Sequence, residues 1–327
     1  MPRIALLDDP AGALEYLPLA RLALDKLPRE DLAVIAATVG QRPGRRTTAR
    51  FSVQSRRHGT KLVEIFGFIF ADGSGERMHD RLMHLRAEHR LVLPEPLGYD
   101  ARVNAVWIEE ASGTPLPAAL TPDRLSTLLD AAAADLVAIH ADTADQLRPQ
   151  ANIANGTDPI THVAGQIASL KASYPALEAT LTAIPRDLQR CRETLSSVAS
   201  VANVPLHGNC HAGQWLVSGD AVTMIDIEPT VLGNPAEDLA HFRVDAAFRG
   251  WSPTFEQRVA DEFLARYESR AKQSFDPGWL RWHTLLQLID RAHVQFTSDR
   301  GADIPGLMRI MARLQGVHRD LITATLR

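Results

Sequence analysis

The N-terminal third of the chain alternates between apolar and polar residues at the period of a β-strand. Three such runs follow one another, and turn residues at 40–44 and at His58-Gly59 separate them. Period-two alternation broken by short turns predicts a three-stranded antiparallel meander. The strands are predicted at 32–39, 47–54 and 61–70, with a further strand at 104–109 and helices at 18–27 and 76–90.

From about residue 122 the apolar residues recur at helical spacing, and this pattern continues to the C-terminus. Helices are predicted at 125–140, 161–173, 176–200, 236–248, 254–273, 277–298 and 303–325. A loop at 141–160 and two short strands, at 214–217 and 222–227, interrupt them. The pattern predicts an α+β protein with a small β-rich N-lobe at 1–110, a crossover at 109–116 and a larger helical C-lobe at 111–327.

Composition narrows the possible classes of protein. Hydrophobic residues make up 45% and charged residues 23% of the 327 residues, which is typical of a globular protein. The formal net charge of −4 gives no reason to expect nucleic acid or an anionic membrane as a partner. The basic pairs Arg45-Arg46 and Arg56-Arg57 are predicted to be solvated loop residues.

Cysteine usage and the N-terminal residues predict a cytoplasmic protein. The chain has two cysteines, too few for a disulfide framework. Its first residues do not resemble a signal peptide, because acidic residues enter at Asp8. The longest apolar run, 62–71, contains Glu64 and is too short to span a bilayer.

The residues with the most chemical information lie between Leu206 and Leu239. They form the pattern His-Gly-x-x-His-x-x-Gln, then a strand–turn–strand ending in Ile-Asp, then Gly-x-Pro-x-x-Asp-Leu. Gln214 and Asp226 offer an amide and a carboxylate oxygen, and oxygen is the ligand atom that Mg²⁺ prefers. Phosphoryl transfer needs metal ligands, phosphate-binding groups and a residue that orients or deprotonates the accepting hydroxyl. The ordered set of motifs is more specific than any one of its residues.

This segment resembles the aminoglycoside phosphotransferase and choline kinase family, a branch of the protein-kinase-like fold. The family motif is His-Gly-Asp-x-His-x-x-Asn/Gln, then Ile-Asp-x-Glu/Asp, then Gly-x-Pro-x-x-Asp-Leu-Ala. The match is specific over residues 206–242, and looser matches extend over most of the chain, among them Gly113-x-Pro-Leu116 and Leu136-x-x-Ile-His140. The resemblance implies a bilobal protein-kinase-like fold that binds ATP and Mg²⁺.

Carried over residue by residue, the resemblance assigns roles to nine positions. The implied catalytic positions are His207, Asn209 and His211, the metal ligands are Gln214, Asp226 and Glu228, and the cofactor-binding positions are Phe68, Glu76 and Glu109. His207 would buttress the loop, and His211 would contact substrate or phosphate, although a structural histidine would fit equally well. Glu228 could also be a solvated residue. Asp238 is expected to anchor backbone rather than to bind ligand.

The base position departs from the family motif, because Asn209 stands where the motif has aspartate. An amide side chain is a very poor proton acceptor, and the loss of a general base commonly costs a factor of about 10²–10⁴ in rate. Asparagine can still hydrogen-bond a hydroxyl and orient it. The departure therefore predicts impaired catalysis rather than its complete loss.

The strand-lysine position departs as well. Counting back from Glu76 places Phe68 where family members usually have the lysine that binds the α- and β-phosphates. Lys61 belongs to the same predicted strand, but it lies at the far end and faces the opposite side of the sheet. Only a different strand register would let Lys61 take this role. Weakened binding of ATP and Mg²⁺ is the predicted result.

Three functions are compatible with these motifs. The two departures favour a pseudokinase-like, catalytically impaired protein with a binding or regulatory role toward a protein partner. The retained Gln214 and Asp226 favour instead an active, atypical ATP- and Mg²⁺-dependent O-phosphotransferase that acts on a small-molecule or peptide hydroxyl. Nucleotidyl transfer or a lyase step is the third. We prefer the first interpretation and expect neither nucleic acid nor membrane as a partner.

Overall fold

The strands of this protein lie mainly before residue 116 and its longer helices after it. The structure is a computed structural model that describes residues 9–42, 46–89, 91–142, 158–198, 203–227, 231–271, 275–297 and 304–326. The strands are β1 (Leu32–Arg42), β2 (Arg46–Ser55), β3 (Lys61–Phe70), β4 (Pro96–Asp100), β5 (Ala105–Glu109), β6 (Thr114–Pro115), β7 (Val204–Leu206), β8 (Trp215–Ser218), β9 (Ala221–Met224) and β10 (Val231–Gly233). The α-helices are α1 (Pro10–Ala13), α2 (Ser74–Glu88), α3 (Leu116–Ala119), α4 (Leu125–His140), α5 (Pro159–Ser173), α6 (Glu178–Leu181), α7 (Ile184–Val198), α8 (Ala236–Ala246), α9 (Pro253–Arg270), α10 (Pro277–Thr297) and α11 (Ile304–Thr325).

Contacts within the chain define two compact units. The strand unit comprises Met1–Pro115 and Trp215–Pro229, and the helical unit comprises Leu116–Gln214 and Thr230–Arg327. The strand unit contains the sheet of β1 to β5 and a smaller sheet in which β8 pairs with both β6 and β9. The predicted α+β class is confirmed, with a sheet in the N-terminal part and helices in the C-terminal part.

The main sheet of the strand unit is antiparallel and has the strand order β1-β2-β3-β5-β4. The predicted meander of the first three strands is confirmed, and β3 has its predicted bounds. β4 was missed, because Pro96 and Gly98 are typical turn residues. They are tolerated here because β4 is an edge strand whose register shifts between these two residues.

One face of the main sheet carries a hydrophobic core. Its buried strand residues include Ala49, Phe51, Val53, Ile65, Ile69 and Trp107. Gly67 lies within this packing, where an added Cβ would approach Trp107 to 2.7 Å and Phe51 to 3.0 Å. The absent side chain lets the rings of Phe51 and Trp107 meet edge to face, with centroids 5.2 Å apart.

The segment before β1 covers this core without forming the predicted helix. Residues 18–27 form a series of turns, and Ala23 has a left-handed backbone with φ 55°. Leu19 and Leu24 are buried in the same core as the sheet residues. A single short helix is marginal in water, so packing on the sheet decides the conformation. The helix predicted at 18–27 is therefore wrong.

Long helices build the helical unit around α10. This helix packs against α5, α8 and α11, while α4 packs against α9. The rings of Phe242 on α8 and Phe263 on α9 stack with centroids 3.7 Å apart. The helix predicted at 125–140 is confirmed with the same bounds. None of the helices described has the length and hydropathy that a bilayer crossing requires.

Two features of the helical unit differ from the sequence prediction. The helix predicted at 176–200 is divided into α6 and α7, and Pro185 lies in the first turn of α7. Proline is tolerated in a first turn but breaks a helix interior, which explains the division. The antiparallel pair of β7 and β10, with Leu206 opposite Val231, was not predicted. These three-residue strands are too short to show a period of two.

Candidate functional site

The loop that carries the predicted base is held by Asp238 in the first turn of α8. The backbone N–H of His207 donates to Oδ2 of Asp238 at 2.7 Å, and the N–H of Gly208 donates to Oδ1 at 3.0 Å. Gly208 has φ 80°, a left-handed conformation that favours glycine. The predicted anchoring role of Asp238 is confirmed by these two hydrogen bonds.

Asp238 is itself held by a buried chain of polar groups. Nε2 of His140 lies 3.1 Å from its carboxylate, and Nδ1 of His140 lies 2.7 Å from the hydroxyl of Tyr267. A neutral imidazole can donate to Asp238 and accept from Tyr267 in this arrangement. Burial would raise the pKa of Asp238, but the hydrogen bond from His140 and the nearby His140 and His207 hold that pKa below its usual value. The loop is therefore anchored on an ionised carboxylate.

Asn209 lies half-buried at the tip of this loop. Its backbone N–H donates to Nδ1 of His207 at 3.3 Å. His207 is completely buried, so it supports the loop from beneath, in keeping with the buttressing role implied by the family resemblance. The position of residue 209 is thus fixed by its own backbone and by its neighbours, while its side chain supplies an amide in place of a carboxylate.

His211 and Gln214 form a second part of the loop. The N–H of Gly213 donates to Nδ1 of His211 at 3.1 Å, so Nε2 carries the proton of a neutral imidazole. Nε2 of His211 lies 3.1 Å from the side-chain amide of Gln214. The atom of Gln214 at this contact is its Nε2, and two N–H donors cannot bond each other, so a hydrogen bond here requires the amide to be turned with its oxygen toward His211. In that orientation, the oxygen assigned to a metal ion would accept from His211.

Residues of α8 and the segment after it support the short 3₁₀ turn Ala212–Gln214. Asp245 accepts the backbone N–H of Ala212 at 3.1 Å and pairs with Arg249 at 2.6 Å. The rings of His211 and His241 lie 5.9 Å apart. Burial lowers the pKa of His241, and the proximity of His211 lowers it further. This part of the loop is polar and closely held.

Asp226 follows β9 in the strand unit and pairs with a cation of the same unit. Its Oδ1 lies 2.5 Å from Nη2 of Arg46, the first residue of β2. Asp226 has a left-handed backbone with φ 55°, which is uncommon for a residue other than glycine and clusters at functional sites. Arg46 is only 6% exposed, so the prediction of a solvated residue is wrong for it. Arg45 lies outside the described residues.

Phe68 is buried on β3, and the guanidinium of Arg46 lies over its ring, 4.6 Å from the centroid. This is the geometry of a cation–π contact. Lys61 pairs with Glu64 at 2.9 Å and lies opposite Gln54, at the far end of β3. The alternative register that would bring Lys61 to the position of Phe68 is therefore not adopted.

The remaining predicted residues are exposed or undescribed. Glu76 lies in the first turn of α2, and Glu109 is the last residue of β5. Both side chains are exposed. Glu228 lies outside the described residues. The structure thus brings Phe68 and Asp226 together through Arg46 in the strand unit.

The described metal-ligand candidates can be tested against the needs of Mg²⁺. This ion requires oxygen ligands at about 2.1 Å in octahedral geometry. In the described part of the chain, the carboxylate of Asp226 is already paired with Arg46, and the side-chain amide of Gln214 contacts His211. As arranged, Asp226 does not offer Mg²⁺ a free carboxylate.

Four residues of these networks were not among the predicted site residues: Arg46, His140, Asp245 and Tyr267. His140 belongs to the Leu136-x-x-Ile-His140 match. That match drew attention to the residue but did not indicate its contact with Asp238. Tyr267 and Asp245 lie on helices with ordinary periodicity, and Arg46 stands in a basic pair that resembles a loop. Each has a partner that is distant in sequence, and no local pattern identifies such a contact.

Comparisons with known proteins identify the family and the fold of the chain. A model of the phosphotransferase enzyme family, APH, matches residues 49–283. No curated protein matches the chain at a significant level. The structure is similar to a choline kinase from Cryptosporidium parvum Iowa II, at 12% identity and a TM-score of 0.57, over 95% of this chain and 97% of that chain.

Two further solved structures are similar over nearly the whole chain. The choline kinase LicA from Streptococcus pneumoniae is 14% identical, with a TM-score of 0.57 over 94% of this chain and 99% of that chain. The aminoglycoside phosphotransferase APH(2'')-Ib, in an ADP-bound structure, is 12% identical, with a TM-score of 0.57 over 96% of this chain and 99% of that chain. At these identities the likeness shows the fold, which is protein-kinase-like. Since the family model covers more than half of the sequence, the chain belongs to the phosphotransferase enzyme family APH.

Proposed function

We propose that this chain is a nucleotide-binding, pseudokinase-like member of its family, impaired in phosphoryl transfer and acting as a binding or regulatory partner of another protein. The observation that carries the proposal is the contact of 2.5 Å between Arg46 and Asp226. The carboxylate that would hold a metal ion is neutralised by a cation of the chain itself. The site therefore lacks the free carboxylate on which metal-assisted transfer depends.

Asn209 supports the same proposal. The contacts of the loop with Asp238 and His207 fix the backbone at residue 209. The side-chain amide of Asn209 is therefore held at the position where the family motif has its base. An amide cannot take the proton of an attacking hydroxyl. The absence of a base at this point would lower the rate by a factor of about 10²–10⁴.

A second candidate is an active, atypical ATP-dependent O-phosphotransferase acting on a small-molecule or peptide hydroxyl. The observation in its favour is the intact support of the loop, in which Asp238 accepts two backbone N–H groups and is held by His140. A loop without catalytic use would have less need of such support. In this candidate Asn209 orients the hydroxyl, and Arg46 must release Asp226.

Restoring the carboxylate distinguishes the two candidates. Asn209→Asp changes the chemistry at nearly constant size, and the γ-phosphate of ATP is followed in hydrolysis and transfer assays. We expect a very slow parent protein and a gain of at most about tenfold in the variant, because Asp226 stays paired with Arg46. The matched control is Asn203→Asp, the same change at an exposed position just before β7, which should have no effect.

The opposite result would favour the active candidate. A parent protein that turns over at ordinary kinase rates, about 1–100 s⁻¹, would contradict impairment. If Asn209→Asp were also neutral or slower, then Asn209 would be an adapted residue of a working enzyme.

A further inference from the structure

Arg46 connects the two positions of the strand unit that the family assigns to phosphate and metal. Its guanidinium lies 4.6 Å from the ring centroid of Phe68, and its Nη2 lies 2.5 Å from Oδ1 of Asp226. All three residues belong to the strand unit. One cation thus lies beside the position of the missing lysine and next to the carboxylate.

The strand register explains how Arg46 reaches this place. β2 and β3 are antiparallel, with Thr48 opposite Phe68 and Arg46 opposite Phe70. Directly opposite residues, and residues two positions apart on one strand, lie on the same face of a sheet. Arg46 therefore shares a face with Phe68, and its long side chain crosses diagonally to the ring. A cation on β2 takes the position that a lysine at residue 68 would occupy from β3.

Phenylalanine at position 68 suits an arginine on the neighbouring strand. The planar guanidinium stacks on an aromatic face, and it binds carboxylate and phosphate oxygens through paired N–H donors. A lysine at residue 68 would instead repel Arg46. With phenylalanine at position 68, the positive charge on this face is that of Arg46.

The ion pair remains within reach of solvent. Arg46 has 6% of its side chain exposed, but its partner Asp226 has 24% exposed. Solvent reaches the pair at Asp226, so an incoming phosphate competes with this carboxylate for the guanidinium of Arg46. A guanidinium binds phosphate, like carboxylate, through paired N–H donors whose spacing matches the oxygens.

We infer that Arg46 replaces the strand lysine as the phosphate-binding cation, and that its pairing with Asp226 makes a divalent metal unnecessary. The chain then binds nucleoside diphosphates and triphosphates without Mg²⁺. This inference rests on the proposed function, which supplies the nucleotide. It adds the residue that holds the phosphates and the independence from metal.

The test measures binding of ADP and adenosine by calorimetry in EDTA and then in excess Mg²⁺. For the parent protein we expect ADP binding in EDTA that Mg²⁺ does not strengthen. Arg46→Met should weaken ADP binding by about 10- to 100-fold, because one charged contact to phosphate is lost. Adenosine has no phosphate, so its binding should be unchanged, and this shows that the variant is folded.

Arg50→Met is the matched control, since Arg50 lies on the same face of β2, four residues away, and is exposed. It should bind ADP like the parent. Asp226→Asn is a second variant with an opposite expectation: it removes a negative charge beside the phosphates and should strengthen ADP binding in EDTA.

The outcomes separate this inference from the proposed function. ADP binding that requires Mg²⁺, is insensitive to Arg46→Met and is weakened by Asp226→Asn would overturn the inference alone. If neither adenosine nor ADP bound to the parent protein under either condition, the proposed function would fail together with it.

Discussion

At the scale of single residues, Asp238 joins the loop of the candidate site to the core of the helical unit. It accepts two backbone N–H groups from the loop and a contact from His140. Only 1% of it is exposed. Because water cannot replace these contacts, its charge bears on the stability of the fold as well as on the loop.

Asp238→Asn should lower the free energy of unfolding by about 1.5–3 kcal/mol at neutral pH, since hydrogen bonds to a charged acceptor are lost. The pKa of Asp238 is lower in the folded than in the unfolded protein. Its contribution is therefore fully present above the unfolded pKa, about 3.9, and is lost as the pH falls through the folded pKa. The difference between parent and variant should narrow below about pH 4.

Urea unfolding across this pH range measures the effect. Asp261→Asn, an exposed carboxylate on α9, is the control and should change stability by less than about 0.5 kcal/mol. A difference between the parent and Asp238→Asn that stayed constant down to low pH would show that the charge of Asp238 is not what stabilises the loop.

Sequence reasoning identified the substitutions at positions 68 and 209 but not the contacts around them. Asn209 and Phe68 were recognised as departures, because a motif fixes which residue type is expected there. Arg46 was not recognised, because its contact with Asp226 joins residues 180 positions apart. Such a contact depends on strand pairing and leaves no trace in local composition.

At the scale of elements, prediction succeeded where one period persists. β3 and α4 have their predicted bounds, since each has a long and regular pattern. The helix predicted at 18–27 failed, because buried leucines at helical spacing also suit a chain of turns that packs on a sheet. Amphipathic spacing shows which residues are buried, while the conformation depends on what they pack against.

The close packing around β3 gives a prediction for this element. Gly67→Ala should lower the free energy of unfolding by about 1–3 kcal/mol, because its Cβ would overlap the rings of Trp107 and Phe51. Gly40→Ala on β1 is the matched control, since its nearest new contact is at 3.9 Å. Thermal unfolding of both variants measures this difference, and Gly67→Ala should have the lower melting temperature. Equal melting temperatures for the two variants would contradict the packing described for β3.

At the scale of the whole molecule, the motif region is divided between the two units. The loop with Asn209 and Gln214 belongs to the helical unit, whereas Asp226 belongs to the strand unit with Phe68 and Arg46. The sequence showed the motif as one continuous segment, and the division follows from the pairing of β8 with β6 and β9. In the strand unit, the cation beside Phe68 of β3 comes from β2.

The most direct test of this account is a crystal structure of the protein with ADP and Mn²⁺, recorded with anomalous scattering. Mn²⁺ accepts the same oxygen ligands as Mg²⁺ and is visible by its anomalous signal. We predict paired hydrogen bonds of about 2.7–2.9 Å from the guanidinium of Arg46 to phosphate oxygens. We also predict no anomalous peak at Asp226. A Mn²⁺ ion bound to Asp226, with Arg46 turned away from the phosphates, would contradict the account.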